Sequence, residues 1–357
     1  MAAFYGSREP LHFSVYGYAF SLTGDCEFAM AGLAEDFGFF RNGDRSEGAR
    51  FGHVELDLVQ ATPDYMSLPA ADASVYTPRN VVYYDDGRRI VDFGGRGLGI
   101  YNAAQSRFRM VSEDPHLVYE AAYLFLLSQI GQALDERRLH RLHALAMSHN
   151  GRSILVLLPM GGGKSTLAAS LLKNTSMSIL SDDSPFIDRA GNAFAFPLRL
   201  GMLKGSEHEV PEEHRRLVDR MEFGPKYLVN YSYFADRVRE RASPGIILLG
   251  RRTLATQGRI EPASYRTAMR AMIPNMVVGL GLFQGLEYLL ERSSRELAGK
   301  AGLGWSRLRN AHALVRRSKT FLFHMGRSAE ANAQTVMELA GKLLGDRVPE
   351  LVNQETG

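Results

Sequence analysis

Six consecutive residues, Gly161-Gly162-Gly163-Lys164-Ser165-Thr166, constrain this chain more than any other stretch. They follow the apolar run Ile154-Leu155-Val156-Leu157-Leu158 and precede Leu167-Ala168-Ala169-Ser170-Leu171-Leu172. That order predicts a buried strand, a glycine turn and the start of a helix, the context in which a phosphate-binding loop works. Glycines let successive backbone N–H groups converge on phosphate oxygens. The helix that follows adds its positive N-terminal end. A lysine at this point reaches the β- and γ-phosphates, and the hydroxyl after it serves Mg²⁺. Gly161, Gly162, Gly163, Lys164, Ser165 and Thr166 are therefore the candidate nucleotide-binding residues, with Ser165 also a candidate metal ligand. The pattern G-x-x-x-x-G-K-[ST] is met except at its first glycine, where the chain has Leu158, followed by Pro159 and Met160.

Length and composition frame what surrounds this unit. With 357 residues the chain is long enough for about two domains. A hydrophobic content of 45% with 23% charged residues is ordinary for a globular protein. Cys26 is the only cysteine, which excludes a disulfide framework and a cysteine-based metal site and fits a reducing, cytoplasmic setting. The opening residues lack a basic segment followed by an apolar core, and the apolar runs are short of a bilayer span. No secretory signal and no membrane association are expected. A net charge of +3 is too small to point to nucleic acid. Basic residues gather between Glu291 and Lys319, a distribution that suits a solvated helical face better than a docking surface for an anionic partner.

Residues 1–112 read as a smaller, β-rich α+β domain. Residues 11–18 and 54–59 alternate at the strand period. Residues 81–84 and 90–93 flank a turn around Asp86-Gly87 and predict a hairpin. Residues 98–101 and 107–111 predict another pair, and 31–40 a short helix. A long helix is expected over 114–138, opened by Asp114-Pro115, and the domain boundary is placed just before it. Residues 113–347 then alternate strands and helices, and 348–357 form a tail. Strands are expected at 142–148, 153–158, 177–180, 245–249 and 320–324. Helices are expected at 164–173 and 329–344, with a mainly helical stretch from 261 to 317.

A phosphate cradle alone transfers nothing; a carboxylate for Mg²⁺ and a group to take a proton are also needed. Asp182-Asp183 ends an apolar strand soon after the loop helix. In a parallel α/β sheet the C-terminal strand ends gather at the ligand edge. Neighbouring residues on an extended chain point to opposite sides, so one carboxylate can face the metal and the other the acceptor. His143, on the strand before the loop strand, is within reach of the same edge and can assist proton transfer. Arg199, Lys226 and Arg241 are candidates, by position alone, for extra positive charge near a phosphoryl group.

The order Leu142-His143-Ala144, Gly151-Arg152, apolar strand, Gly-x-Gly-Lys-Ser, apolar strand ending in Asp182-Asp183 resembles the C-terminal domain of HPr kinase/phosphorylase. The likeness is clear over residues 139–200 and looser over 226–249 and the C-terminal strand and helix. It implies an α/β P-loop kinase core of the HPr kinase C-terminal domain type behind the β-rich domain. By the resemblance, residues 161–165 bind the nucleotide phosphates, and Ser165 and Asp183 ligate Mg²⁺. Asp182 is the catalytic base and His143 assists it. Two departures stand out: Leu158 in the loop, and Pro197-Leu198-Arg199-Leu200-Gly201 where the family carries a further acidic metal ligand. The family forms hexamers, so the resemblance also implies self-association.

The expected function is a Mg-ATP-dependent kinase transferring the γ-phosphoryl group to a hydroxyl, either a serine of a peptide or protein or a small alcohol. The alternative is a nucleotide-binding regulatory or scaffold protein with a degenerate loop and little or no transfer.

Overall fold

The computed structural model describes residues 9–41, 51–159, 161–201, 210–220, 224–278 and 294–345, the last by backbone alone as far as 301. The fold is mixed α/β, and the chain divides into two compact units. The first comprises Met1–Arg138, Leu198–Ala235 and Phe283–Leu303; the second comprises Leu139–Pro197, Asp236–Leu282 and Gly304–Gly357. The expected tail at 348–357 and the part of the expected helical stretch from 279 to 293 lie outside the described residues.

In the first unit, eight strands form one sheet: β1 (Leu11–Val15), β2 (Tyr18–Gly24), β3 (His53–Val59), β4 (Ala73–Tyr76), β5 (Val81–Asp85), β6 (Arg88–Asp92), β7 (Gly97–Asn102) and β8 (Arg107–Ser112). Their order is β1-β2-β3-β8-β7-β6-β5-β4. The pairs β2–β3 and β3–β8 are parallel and the others antiparallel. The β5–β6 hairpin turns at Asp86-Gly87, with φ of 42° and 74°, the left-handed turn that Asp-Gly adopts readily. The run 11–18 is a second hairpin rather than one strand, because Tyr16 and Gly17 take φ of 48° and 81° and reverse the chain. Helix α1 (Glu27–Asp36) starts earlier than the expected 31–40, and a separate 3₁₀ turn covers Gly38–Phe40.

Helix α2 (Pro115–Glu136) begins where Asp114 accepts the His116 N–H at 2.9 Å, with proline in its first turn. It packs across β2, β3, β7 and β8 and against α1. Phe125 stacks on Phe108 with ring centroids 4.0 Å apart. This packing corrects the expected boundary at residue 112. The units divide after Arg138, because the apolar face of α2 is buried on the sheet that precedes it. The helix is long and apolar enough to cross a membrane by length and composition, but 78% of its most apolar window is buried inside the protein.

The second unit begins with β9 (His140–Arg141), β10 (Leu145–His149), β11 (Arg152–Leu157), α3 (Lys164–Leu172), β12 (Met177–Ser181), β13 (Phe186–Ile187) and β14 (Ala193–Phe194). The chain then returns to the first unit for β15 (Leu200–Gly201), β16 (Arg215–Arg220) and β17 (Gly224–Val229), a small antiparallel sheet. It continues with β18 (Arg241–Arg252), β19 (Arg259–Pro262), α4 (Tyr265–Met272), α5 (Ser294–Arg317), β20 (Lys319–Met325) and α6 (Ala329–Leu344). Asn150 and Gly151, at φ 49° and 72°, make the tight turn between β10 and β11. Strands β11, β18 and β20 are parallel, and β12 is antiparallel to β10 and so runs with β11. The ends of β11, β12, β18 and β20 therefore share one edge with the start of β10. Helix α3 packs with α6 and on β10 and β12, and α4 packs on β18.

The return segment is tied to the first unit by buried charge. Asp36 is fully buried and accepts hydrogen bonds from Arg216 and, at 2.5 Å, from the Tyr119 hydroxyl. Arg199 donates to Tyr119 and lies 3.7 Å from both Asp36 and Glu120. Burial pushes the Tyr119 hydroxyl up, so it stays protonated and able to donate to Asp36. Two guanidiniums thus face two carboxylates inside the fold. Arg199 is engaged here and Lys226 lies on β17 of the same unit. Arg241 opens β18 and pairs with Asp188 at 3.4 Å, at the far end of that strand from the loop edge. Replacing Asp36 by Asn leaves two buried guanidiniums short of a carboxylate. Urea unfolding followed by circular dichroism is expected to show a loss of about 3–5 kcal/mol.

Candidate active site

Strand β11 ends at Leu157, so Leu158 stands where the sequence pattern has its first glycine. Leu158 is 2% exposed, and its side chain fills the space left by the absent side chain of Gly250 on β18. Any Cβ at position 250 would collide with the Leu158 methyl groups. The position expected to hold the first loop glycine is thus a packing residue. The turn begins after it, where the Gly162 N–H donates to the Pro159 carbonyl at 3.0 Å. Gly163 caps α3 at φ 98°, a conformation that favours glycine. A Cβ there would lie 2.8 Å from Met325 Cε and 3.4 Å from Arg252 Nη1, so the loop backs onto the ends of β18 and β20. The first-turn amides of α3 have no intrahelical acceptor and form its positive end. Thr166 sits half-buried in that turn. Met160 lies outside the described residues.

Lys164 is 7% exposed, and a buried ammonium needs all three donors met. It donates to the Leu158 carbonyl at 2.8 Å, lies 3.0 Å from His143 Nε2, and pairs with Asp183 Oδ1 at 3.2 Å. With Nε2 accepting from the ammonium, the His143 proton sits on Nδ1, which faces Asp183 Oδ2 at 3.3 Å. His143 is 4% exposed, and its backbone N–H donates to the Asn275 carbonyl at 2.9 Å. It was expected on a strand over 142–148. The strand starts at Leu145, and His143 occupies the bend before it, held between the Asn275 carbonyl and Lys164.

Asp183 is the electrostatic counterpart of this group. Desolvation works to raise its pKa, but His143 and Lys164 attract the carboxylate more strongly, and the net effect holds it below the usual carboxylate range. Half of the Asp183 side chain is exposed, so desolvation is incomplete and the two nitrogen groups facing it decide the sign. Its neighbour Asp182 points elsewhere: Asp182 Oδ2 accepts the Ser165 hydroxyl at 2.8 Å. The two carboxylates, on the bend after β12, therefore have different partners. The pairing is nevertheless the reverse of the expected one: Ser165 meets Asp182, and His143 meets Asp183.

A hydroxyl and a carboxylate 2.8 Å apart are hard oxygen donors of the kind Mg²⁺ takes. Among the described residues no group of three or more His, Cys, Asp or Glu is arranged to hold a metal. This fits an ion that keeps its waters and substrate oxygens rather than an all-protein cage. Segment 197–201, with Pro197-Leu198-Arg199-Leu200-Gly201, brings no carboxylate.

Sequence reasoning missed Arg252. It ends β18, and its guanidinium stands against Gly163. The signal available was its place at the end of a buried apolar strand parallel to the loop strand, the feature that singled out Asp182-Asp183. Of the basic run between 291 and 319, residues 291–293 lie outside the described residues. Arg307 and Arg317 donate to the backbone carbonyls of Val277 and Ala190, a structural use.

Because Leu158 packs rather than binds, Leu158→Ala is expected to cost about 2–5 kcal/mol in chemical denaturation. No protein-family model matches this chain, and no curated protein matches it.

Proposed function

We propose that the second unit is a Mg-ATP-dependent phosphotransferase acting on a hydroxyl acceptor. The observation that carries the reading is the convergence, at one sheet edge, of a glycine loop and helix N-terminus, a nearly buried lysine, a hydroxyl–carboxylate pair and a carboxylate held by histidine. The loop amides and Lys164 bind the nucleotide phosphates. Ser165 and Asp182 hold the Mg²⁺, which supplies charge neutralisation on the phosphate oxygens. Asp183 takes the acceptor proton, and His143 orients it. These roles exchange the two aspartates relative to the sequence expectation, and the Ser165–Asp182 hydrogen bond favours the exchange.

The acceptor oxygen bonds to the γ-phosphorus while the bond from that phosphorus to the β,γ-bridging oxygen breaks. ADP leaves with the electron pair, and the hydroxyl proton passes to Asp183. Asp183 is ionised with Lys164 beside it. When the phosphates draw Lys164 away, the carboxylate loses one stabilising cation and becomes a better base.

A second reading has an observation of its own. Lys164 has its three donors satisfied within the protein, and Leu158 replaces a loop glycine. Both suit a protein that binds nucleotide without transferring phosphate. Transfer from γ-labelled ATP to serine peptides and small alcohols separates the two.

On the first reading, Asp183→Asn lowers kcat by about 10²–10⁴-fold with Mg-ATP binding retained. Asp182→Asn instead raises the Mg²⁺ concentration needed for half-maximal rate. If Asp182→Asn alone abolishes transfer at saturating Mg²⁺, the exchange of roles is wrong. The sign of the pH dependence also follows. His143 helps to hold Asp183 below the ordinary range, so His143→Ala raises that pKa. The acidic limb of kcat/KM then moves to higher pH, and an unmoved limb would contradict the assignment.

A further inference from the structure

Beside the loop lies a cleft of about 470 Å³ that none of the roles above uses. Leu157, Leu158, Leu249 and Leu322 line it, and Arg251 and Arg270 border it with Thr267. All of these residues belong to the second unit. Its volume is that of a small-molecule site. An apolar lining with a few convergent polar groups is the usual composition of such sites.

Three observations give the cleft a direction. Among the described residues, the side chains of Arg251 and Arg270 have no hydrogen-bond or ion-pair partner and no acidic residue lines the cleft. Two cations facing one recess without a counter-charge make it locally positive. Guanidiniums present planar pairs of donors that match carboxylate and phosphate oxygens. Next, Leu158 and Pro159 belong to the cleft wall, and the Leu158 carbonyl is an acceptor for Lys164. Cleft and phosphate loop thus share a wall. Last, Asn275 also lines the cleft, and its carbonyl accepts the backbone N–H of His143, the residue beside Asp183.

We infer that this cleft holds the acceptor, and that the acceptor is a small molecule bearing a carboxylate or phosphate group bound by Arg251 and Arg270. This rests on the phosphotransferase reading for the word acceptor; the anion site itself does not. A volume of this size admits a small hydroxylated anion whole, whereas a folded protein could insert only one side chain.

The test is arginine labelling of the full chain with phenylglyoxal, read by peptide mass spectrometry. The probes are glycerol 3-phosphate, glycerate and, as the neutral control, glycerol. At ten times its dissociation constant an anion should slow labelling of Arg251 and Arg270 by about tenfold. Arg259, paired with Glu261 and not among the residues that line the cleft, serves as the unprotected reference. Protection by glycerol 3-phosphate alone identifies a phosphate-bearing ligand; protection by glycerate alone identifies a carboxylate. The same protection should persist in Lys164→Ala. Protection that disappears in that variant places the anion in the loop and overturns the inference, as does protection by neither anion or equal protection of Arg259. If protection persists but γ-labelled ATP phosphorylates nothing, the anion site stands and the phosphotransferase reading falls.

Discussion

A nearly buried ammonium cannot be left with unmet donors, and Lys164 meets its three with groups from three parts of the second unit. Leu158 follows β11, His143 precedes β10 and Asp183 follows β12. One side chain thus links three strand ends at the sheet edge. Removing any acceptor leaves a buried donor to be desolvated without return. The rest of the site follows from this link. The loop keeps its shape because Leu158 is anchored on Gly250. His143 has a defined tautomer because the lysine occupies Nε2, and Asp183 is ionised because two nitrogen groups face it.

This arrangement ties resting structure to chemistry. The contacts that satisfy Lys164 are made by the groups that would act on an acceptor. A phosphate that draws the ammonium away also frees the carboxylate. The same edge carries positive charge on its other flank, where Arg252 stands against the loop and Arg251 and Arg270 border an apolar cleft.

Much of this was legible in the sequence because local signals carried it. Asp86-Gly87 and Asn150-Gly151 announced their hairpins, and both take left-handed φ. Asp114-Pro115 announced the start of α2, and the helix over 329–344 has the expected bounds. What failed was decided by partners distant in sequence. The pattern of α2 shows that a face is buried but not against which sheet, so the boundary fell on the wrong side of it. Arg199 was a candidate cation by position only, because nothing local reveals its buried pairing with Asp36. Alternation suggested different roles for Asp182 and Asp183, but the two lie on a bend, and which one meets Ser165 depends on how the chain turns after β12. Arg251 and Arg252 went unnoticed because strand 245–249 was read as ending before them, whereas β18 extends to Arg252.

The central claim is that this loop binds nucleotide phosphate through Lys164 although Leu158 replaces its first glycine. Calorimetric titration of the full chain with Mg-ATP, wild type beside Lys164→Ala, tests it directly. The account predicts saturable binding by the wild type that is lost in the variant. Absence of binding by the wild type, or equal binding by both proteins, would contradict it.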